Sequence, residues 1–527
     1  MPAKSEKHAT RPQGVVTLVG AGPGDAGLIT VAGLDALRDA DVVVYDALAN
    51  PRLLDQAPPN AERIDAGKRA KAHRLTQDQT NALMRDHAFA GRRVVRLKGG
   101  DPYLFGRGAE EVAFLASHGV RVEVVPGVTA GVAAPAAAGI PVTHRNHASS
   151  VTFVTGHEDP TKPESSVDYA ALARLAVRGG TLCLYMGVGR LGPISQTLIA
   201  HGLAADTPAA AVQWGTLPRQ RRVRAPLGRL ADAVQSSGLG APAIVIIGAV
   251  AAIDEPGLDY FTARPLFGRR VVITRTRQQA SALRLPLEAR GAEVLEAPTI
   301  ERVPPETWDE VDRVLRGLER GDVLVLTSTN GVDALADRLS AMSLDARHLA
   351  GVTVAVIADA TRDRLHERLG IRADVVPPRF VAESLAESLV TNPGVAGRRV
   401  VMCRADLARP ALPRLLREAG ASITDVTAYQ TAIASSLPRD VSEAISAGEV
   451  DAITFTSSST AQNLATLLGD EHASLLRRCR LISIGPITSN TMRELGWEVA
   501  AEARVSTIDG VVDALLETLG ESGIQRQ

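Results

Sequence analysis

Cysteine is scarce in this chain. Its 527 residues hold three, Cys183, Cys403 and Cys479, each isolated and none in a C-x-x-C pair. An odd, scattered set argues against a disulfide framework or a thiolate zinc site, and fits a reducing cytoplasm. Net charge is also nearly absent: 58 Lys and Arg face 59 Asp and Glu, for a formal charge of -1. That balance leaves no overall basic surface for nucleic acid or a membrane. No uninterrupted apolar run reaches spanning length, and the polar stretch Met1–Pro12 lacks the apolar core of a signal peptide. Residues 1–13 are expected to form a disordered tail.

What is present is the composition of a soluble globular protein, 45% apolar and 22% charged. The length exceeds what one core organises, so two to four domains and more than one activity are expected. Strand-like runs at Val15–Val19, Asp41–Tyr45, Val94–Leu97, Val122–Val125, Val151–Thr155, Leu182–Tyr185 and Ala243–Gly248 alternate with segments of helical period. This is an α/β pattern. Residues 254–267 mix prolines, glycine and charge without a period and are expected to be a linker.

The second half repeats itself. Gly268-Arg-Arg-Val-Val-Ile-Thr-Arg275 aligns with Gly397-Arg-Arg-Val-Val-Met-Cys-Arg404 at an offset of 129, as do Gly291 with Gly420 and Leu326-Thr-Ser328 with Phe455-Thr-Ser457. Thr361 matches Thr488 with the offset two shorter. One offset linking several motifs in order points to two copies of a small α/β lobe, with a cleft between them for a ligand.

In the first half, Gly20-Ala-Gly-Pro-Gly-Asp25 follows a strand, and Asp46 ends Val-Val-Val-Tyr-Asp. This looks like a dinucleotide turn with its ribose-binding acid. The spacing G-x-G-x-G differs from that fingerprint, and Pro23 removes an N–H donor. A nicotinamide-dependent oxidoreductase is therefore one alternative. A tight turn without a ligand is another.

Further motifs follow in order: Gly67-Lys-Arg69, Arg96-Leu-Lys-Gly-Gly-Asp-Pro-Tyr-Leu-Phe-Gly-Arg-Gly108, Pro126-Gly-Val-Thr-Ala130, Gly139-Ile-Pro-Val-Thr-His-Arg145, Tyr185-Met-Gly-Val-Gly189 and Gly215-Thr216. With them, residues 14–253 resemble the uroporphyrinogen-III C-methyltransferases, tetrapyrrole methylases that use S-adenosylmethionine. The resemblance implies a two-lobed domain whose donor pocket is lined by Pro23, Gly99, Gly100, Asp101, Leu104, Thr129, Ala130, Met186 and Gly215. It implies Asp46 as proton acceptor and Lys68 as donor. Taken alone, Asp46 reads rather as a helix cap and Lys68 as a solvated lysine. For the carboxylate-rich acceptor, Arg69, Arg96, Lys98, Arg107 and Arg145 are the candidate cations. His144, His147 and His157 lack an acid or thiolate to complete a ligand set, so no metal is expected. Trp214, before Gly215-Thr216, departs from the family, where a smaller polar residue is common.

Residues 268–520 resemble uroporphyrinogen-III synthase through Val-Ile-Thr-Arg275, Thr327-Ser-Thr-Asn-Gly-Val332, Tyr429-Gln-Thr431, Thr454-Phe-Thr-Ser-Ser-Ser459 and Ser483-Ile-Gly-Pro-Ile-Thr488. The resemblance implies two α/β lobes, 268–300 with 430–520 and 301–429. Such enzymes close hydroxymethylbilane, which needs a held geometry more than many acid-base groups. Ser328, Asn330, Ser457, Ser458 and Thr488 are the candidate substrate contacts, and Tyr429 the candidate for assisting loss of the hydroxyl. Serine and threonine before a helix also read as plain caps.

These readings imply a bifunctional, cytoplasmic enzyme that makes uroporphyrinogen III and methylates it twice to precorrin-2, feeding sirohaem or cobalamin synthesis. The resemblance of the first half also implies a homodimer through the methyltransferase half. The alternative for the second half is a catalytically inactive ligand-sensing module.

Overall fold

The computed structural model describes residues 14–67, 75–157, 166–274, 277–406 and 410–520, with no side-chain description over 277–280. The expected tail, Lys68, Arg69 and Arg275 lie outside them. The chain divides into two compact units. One runs to Val271 and takes in Leu285–Val294 and the chain from Leu515; the other comprises Val272–Arg284 and Leu295–Ala514.

The first unit holds two five-stranded sheets. One contains β1 (Val15–Gly20), β2 (Val42–Tyr45), β3 (Glu62–Asp65), β4 (Arg93–Lys98) and β5 (Arg121–Val125), in the order β3-β2-β4-β1-β5. All its ladders are parallel. Helices cover both faces of such a sheet, which is why Val42-Val-Val-Tyr45 is apolar without alternation. The helix Gln77–Phe89 starts with a reciprocal cap between Thr76 and Gln79 and packs on β4.

The second sheet contains β6 (Val151–Thr155), β7 (Thr181–Tyr185), β8 (Pro208–Gln213), β9 (Arg221–Pro226) and β10 (Ala243–Ile247), in the order β6-β7-β10-β8-β9. It is mixed: β6 and β7 run parallel, and the remaining pairs antiparallel. The helix Ala130–Ala137 leads from the first sheet and packs on β7, β8 and β10.

The segment 254–267, expected to be a linker, is largely exposed from 254 to 257 and anchored further on. Phe261 and Leu266 are buried, and Arg222 donates to the Ala138 carbonyl while pairing with Asp259 at 3.1 Å.

The remaining strands are β11 (Arg270–Ile273), β12 (Glu293–Glu296), β13 (Ile300–Val303), β14 (Val323–Leu326), β15 (Thr353–Val356), β16 (Arg399–Ala405), β17 (Ser422–Ile433), β18 (Ala452–Phe455), β19 (Arg480–Ser483) and β20 (Val499–Glu502). They form two sheets, β12-β11-β18-β19-β20 and β13-β17-β16-β14-β15. The sequence repeat makes β11 equivalent to β16, β12 to β17, β14 to β18 and β15 to β19. The copies have exchanged halves: β11 and β12 share a sheet with β18 and β19, while β16 and β17 share one with β14 and β15. Local geometry repeats too. Ser328 and Ser457 cap equivalent helices with φ, ψ of -161°, 157° and -165°, 158°.

Two glycines of the first unit separate steric from conformational constraint. A Cβ on Gly215 would lie 2.2 Å from Ala134 Cβ, whereas one on Gly100 would meet nothing within 4 Å but sits at φ +69°. Gly215→Ala is expected to cost about 1–3 kcal/mol by overpacking. Gly100→Ala is expected to cost about 1–2 kcal/mol from its left-handed backbone alone. Denaturant unfolding of both variants checks this, and a Gly215→Ala chain as stable as wild type would contradict it.

Candidate functional site

Loops from the carboxyl ends of β1, β4, β5, β7 and β8 converge in the first unit, and they carry every residue expected to bind the methyl donor. Open parallel sheets place ligands at this end of their strands. The β1 turn and the β4 loop pair through Gly22 and Gly100, whose N–H groups each donate to the other's carbonyl, at 3.3 and 2.7 Å. Only glycine permits the approach nearby. A Cβ on Gly20 would lie 2.5 Å from Gly127 Cα, and one on Gly127 would lie 2.3 Å from the Gly100 carbonyl oxygen.

Asp101 organises this turn. Its Oδ1 accepts from the N–H groups of Tyr103 and Leu104, at 2.8 and 3.2 Å, and its Oδ2 from Gly127 N–H at 3.0 Å. Asp101 therefore joins the β4 loop to the β5 loop, and its carboxylate retains limited acceptor capacity for a ligand.

Thr129 opens the helix Ala130–Ala137 without capping it through its own side chain. Its hydroxyl bonds that of Tyr185, which accepts the Gly131 N–H at 2.6 Å. Tyr185 thus serves as a cap from the end of β7, with Phe105 from the β4 loop at a ring-centroid distance of 5.0 Å. Burial pushes its phenol above the usual tyrosine range, and the bonds from Thr129 and Gly131 oppose this. On the β8 side, Thr216 Oγ1 accepts the Asp25 N–H at 3.1 Å and ties the glycine turn to the loop holding Gly215.

Backbone strain concentrates here. Phe105, Arg107, Met186, Trp214 and Thr216 all have φ between 51° and 70°, and among the described residues Ser343 is the other non-glycine with positive φ. Residues held this way persist where the surroundings over-determine them. Arg219 stacks over Trp214 at 3.9 Å, giving that unusual residue a local partner.

The expected substrate cations separate. Arg145 is exposed, and Arg107 is exposed and paired with Glu110, Nε lying 3.0 Å from its Oε2. That bond holds the Arg107 guanidinium above its ordinary pKa. Arg96 and Lys98 are not displayed for a substrate: they are only 4% and 3% exposed. Their partner is Glu111, fully buried on the helix Gly108–Ser117, at 3.2 Å from Arg96 Nε and 3.1 Å from Lys98 Nζ. Arg96 also reaches Asp46 at 2.5 Å. These two cations, expected among the partners of substrate carboxylates, are paired with acids of the chain itself.

His144 and His147 stack at 4.8 Å, while among the described residues no group of three or more His, Cys, Asp or Glu could hold a metal ion. No helix is long and apolar enough to cross a membrane, again among the described residues. All three cysteines are free and buried. Burial raises their thiols, Cys183 and Cys403 to about 12 and Cys479 to about 11.

In the other unit, Ser328 caps the helix Thr329–Ala341 through Gly331 N–H, and its hydroxyl lies 3.0 Å from that of Tyr429 on β17. Asn330 follows, its carbonyl accepting from Arg302 at 3.2 Å. Ser457 caps its own helix and bonds Ser459, while Ser458 donates to the Ile487 carbonyl at 3.3 Å. The two serine groups thus lie on different sheets. Thr488, expected as a substrate contact, is only 4% exposed.

The chain is similar to known proteins in both halves. Residues 15–231 match the family described as Tetrapyrrole (Corrin/Porphyrin) Methylases, and residues 281–513 that described as Uroporphyrinogen-III synthase HemD. The porphyrin biosynthesis protein HemD of Ruminiclostridium josui is 35% identical over 507 residues, 96% of this chain and 98% of that protein. An S-adenosyl-L-methionine-dependent uroporphyrinogen III methyltransferase of Methanosarcina barkeri is 46% identical over 242 residues, 46% of this chain and 94% of that protein. A crystal structure of uroporphyrin-III C-methyl transferase from Thermus thermophilus, complexed with S-adenyl homocysteine, is 40% identical with a TM-score of 0.39, covering 45% of this chain and 98% of that one. The class is that of two-unit α/β tetrapyrrole-biosynthesis proteins. The chain belongs to the tetrapyrrole methylase family in its first half and to the HemD uroporphyrinogen-III synthase family in its second.

Tyr185 gives a direct test of the site's framework. Tyr185→Phe removes the acceptor of Gly131 N–H and the partner of Thr129, and is expected to cost about 1–3 kcal/mol. Thermal unfolding checks this; an unchanged transition would show that the hydroxyl does not hold the helix start.

Proposed function

We propose that this chain is a bifunctional enzyme that closes hydroxymethylbilane to uroporphyrinogen III and transfers two methyl groups to the product from S-adenosylmethionine, giving precorrin-2. The observation that carries the reading is the convergence of glycine turns at the strand ends, combined with resemblance along nearly the full length to a porphyrin biosynthesis protein. The methyltransferase is assigned to residues 14–253. The synthase is assigned to 268–520, with lobes 268–300 plus 430–520 and 301–429.

The donor supplies an electrophilic methyl group on a sulfonium. The chain offers what such a molecule needs: close backbone at Pro23, Gly99, Gly100 and Gly215, a turn fixed by Asp101 with Leu104, and Thr129, Ala130 and Met186 from the facing loops. In the transfer, an electron pair on a pyrrole ring carbon forms the new C–C bond. The S–CH3 bond breaks, its electron pair stays on sulfur, and a proton must then leave the macrocycle. Asp46, at the end of β2 and partly exposed, is assigned as its acceptor. Lys68 is assigned as donor, and Arg69, Arg107 and Arg145 as partners for substrate carboxylates.

In the synthase, loss of the hydroxyl as water precedes closure with inversion of the last ring. Holding one folded geometry accounts for the isomer formed. Tyr429 is assigned to that departure, with Ser328, Asn330, Ser457 and Ser458 around the substrate. Tyr429 and Ser328 bond each other, with Tyr429 only 7% exposed; the second reading of this half is a ligand-sensing module without turnover. A homodimer through the methyltransferase half and a cytoplasmic location complete the proposal.

The purified chain given hydroxymethylbilane without the methyl donor is expected to form the type III macrocycle. Type I at the enzyme-free rate would sink the synthase assignment and leave the sensing module. Adding labelled S-adenosylmethionine with uroporphyrinogen III is expected to place two labels per macrocycle; no incorporation would sink the methyltransferase assignment.

A further inference from the structure

We propose that Glu111 is a positioning residue for methyl transfer, acting through Arg96 to fix the carboxylate of Asp46. The proposal rests on the methyltransferase reading above. Period-two alternation along β4 puts Arg96 and Lys98 on one face of the sheet. The helix Gly108–Ser117 buries Gly108, Glu111 and Leu115 in one stripe, which brings the acid to them.

Every nitrogen of the Arg96 guanidinium is committed. Nε donates to Glu111 at 3.2 Å, one terminal nitrogen to the Val44 carbonyl at 3.3 Å, and the other to Asp46 at 2.5 Å. Gln77 donates to the same Glu111 oxygen at 3.0 Å. A planar fork held at two edges can present its third in one direction only. Asp46 receives that edge, and its side chain is 31% exposed where Glu111 has no exposure. The Asp46 N–H donates to the Leu97 carbonyl at 3.1 Å, so backbone and side chain are both tied to β4.

A buried carboxylate is poor value for stability, since an apolar residue of similar size commonly serves as well. Glu111 has a local purpose instead: it balances two cations beneath an acid that needs only one. Burial first, and Arg96 next, push the Lys98 ammonium below the usual lysine range, with Glu111 and Asp46 opposing. The same cluster acts on its neighbours: Glu111 and Asp78 help to raise the Arg107 guanidinium, after its bond to Glu110, and Lys98 helps to lower the Glu110 carboxyl, after its bond to Arg107.

The test is steady-state methyl transfer by the full chain with uroporphyrinogen III and S-adenosylmethionine, for wild type and Glu111→Gln, across pH. Misplacement of Asp46 predicts a kcat lower by roughly tenfold or more, with the KM for the methyl donor and the affinity for S-adenosylhomocysteine unchanged. Loss of one negative charge leaves Arg96 and Lys98 less neutralised beside Asp46. The acid limb of the pH profile therefore moves to lower pH. A Glu111→Gln enzyme with wild-type kcat and pH profile overturns the proposal. So does a loss of activity with an unmoved acid limb and a matching loss of S-adenosylhomocysteine affinity, which is the signature of a merely structural role. If Glu111→Gln does not fold, Arg96→Lys keeps the charge but not the fork, and the same fall in kcat at unchanged donor affinity is expected; full activity there overturns the proposal. Wild-type chain that transfers no methyl group instead refutes the underlying reading, and the proposal falls with it.

Discussion

The first unit depends on backbone meeting backbone where β1, β4 and β5 end. Gly20, Gly100 and Gly127 lie so close that a Cβ on Gly20 or Gly127 would fall within 2.7 Å of main-chain atoms of the other two. Protein interiors do not absorb such overlap. Because these positions carry no side chain, the Gly22–Gly100 pairing can form and Asp101 can reach Gly127. The convergence of loops follows from that closeness. Polar main-chain groups then line the place where a donor rich in nitrogen and oxygen would need them.

A second constraint works against the first unit's stability. The face of β4 toward the helix Gly108–Ser117 buries two cations and a carboxylate where an apolar layer would pack at lower cost. Such a choice is intelligible when one of those charges must be held at a fixed position beside the site. The positive-φ residues at the same strand ends have the same character, unfavourable locally and held by their surroundings. The other unit shows a gentler economy: one lobe design used twice, with halves exchanged, so that Ser328 and Ser457 take the same cap geometry on different sheets.

Much of this was legible in the sequence. The apolar runs of β1 and β2 stand out because a parallel sheet buries both faces, and a glycine turn marks where β1 stops. The repeat was visible because motifs recurred at one offset. The fate of Arg96 and Lys98 was not legible, since an arginine and a lysine two apart on a strand read as solvated unless their face is known to be covered. The signal that would have found Glu111 is its spacing with Gly108 and Leu115 on the inward stripe of a helix. Tyr185 stands in a motif without showing a role there, because its hydroxyl serves a helix 54 residues earlier in the chain. The burial of Thr488 is not legible for a similar reason: a threonine near a helix start reads as a displayed hydroxyl until its packing is known.

The central claim, that the glycine-built convergence of loops is where the methyl donor binds, is tested most directly by hydrogen exchange with and without S-adenosylhomocysteine. The account predicts slowed exchange in peptides covering residues 20–25, 99–104, 127–131, 185–187 and 214–216, with the far strand β9 unchanged. Binding without protection in those peptides, or protection confined to others, would contradict it.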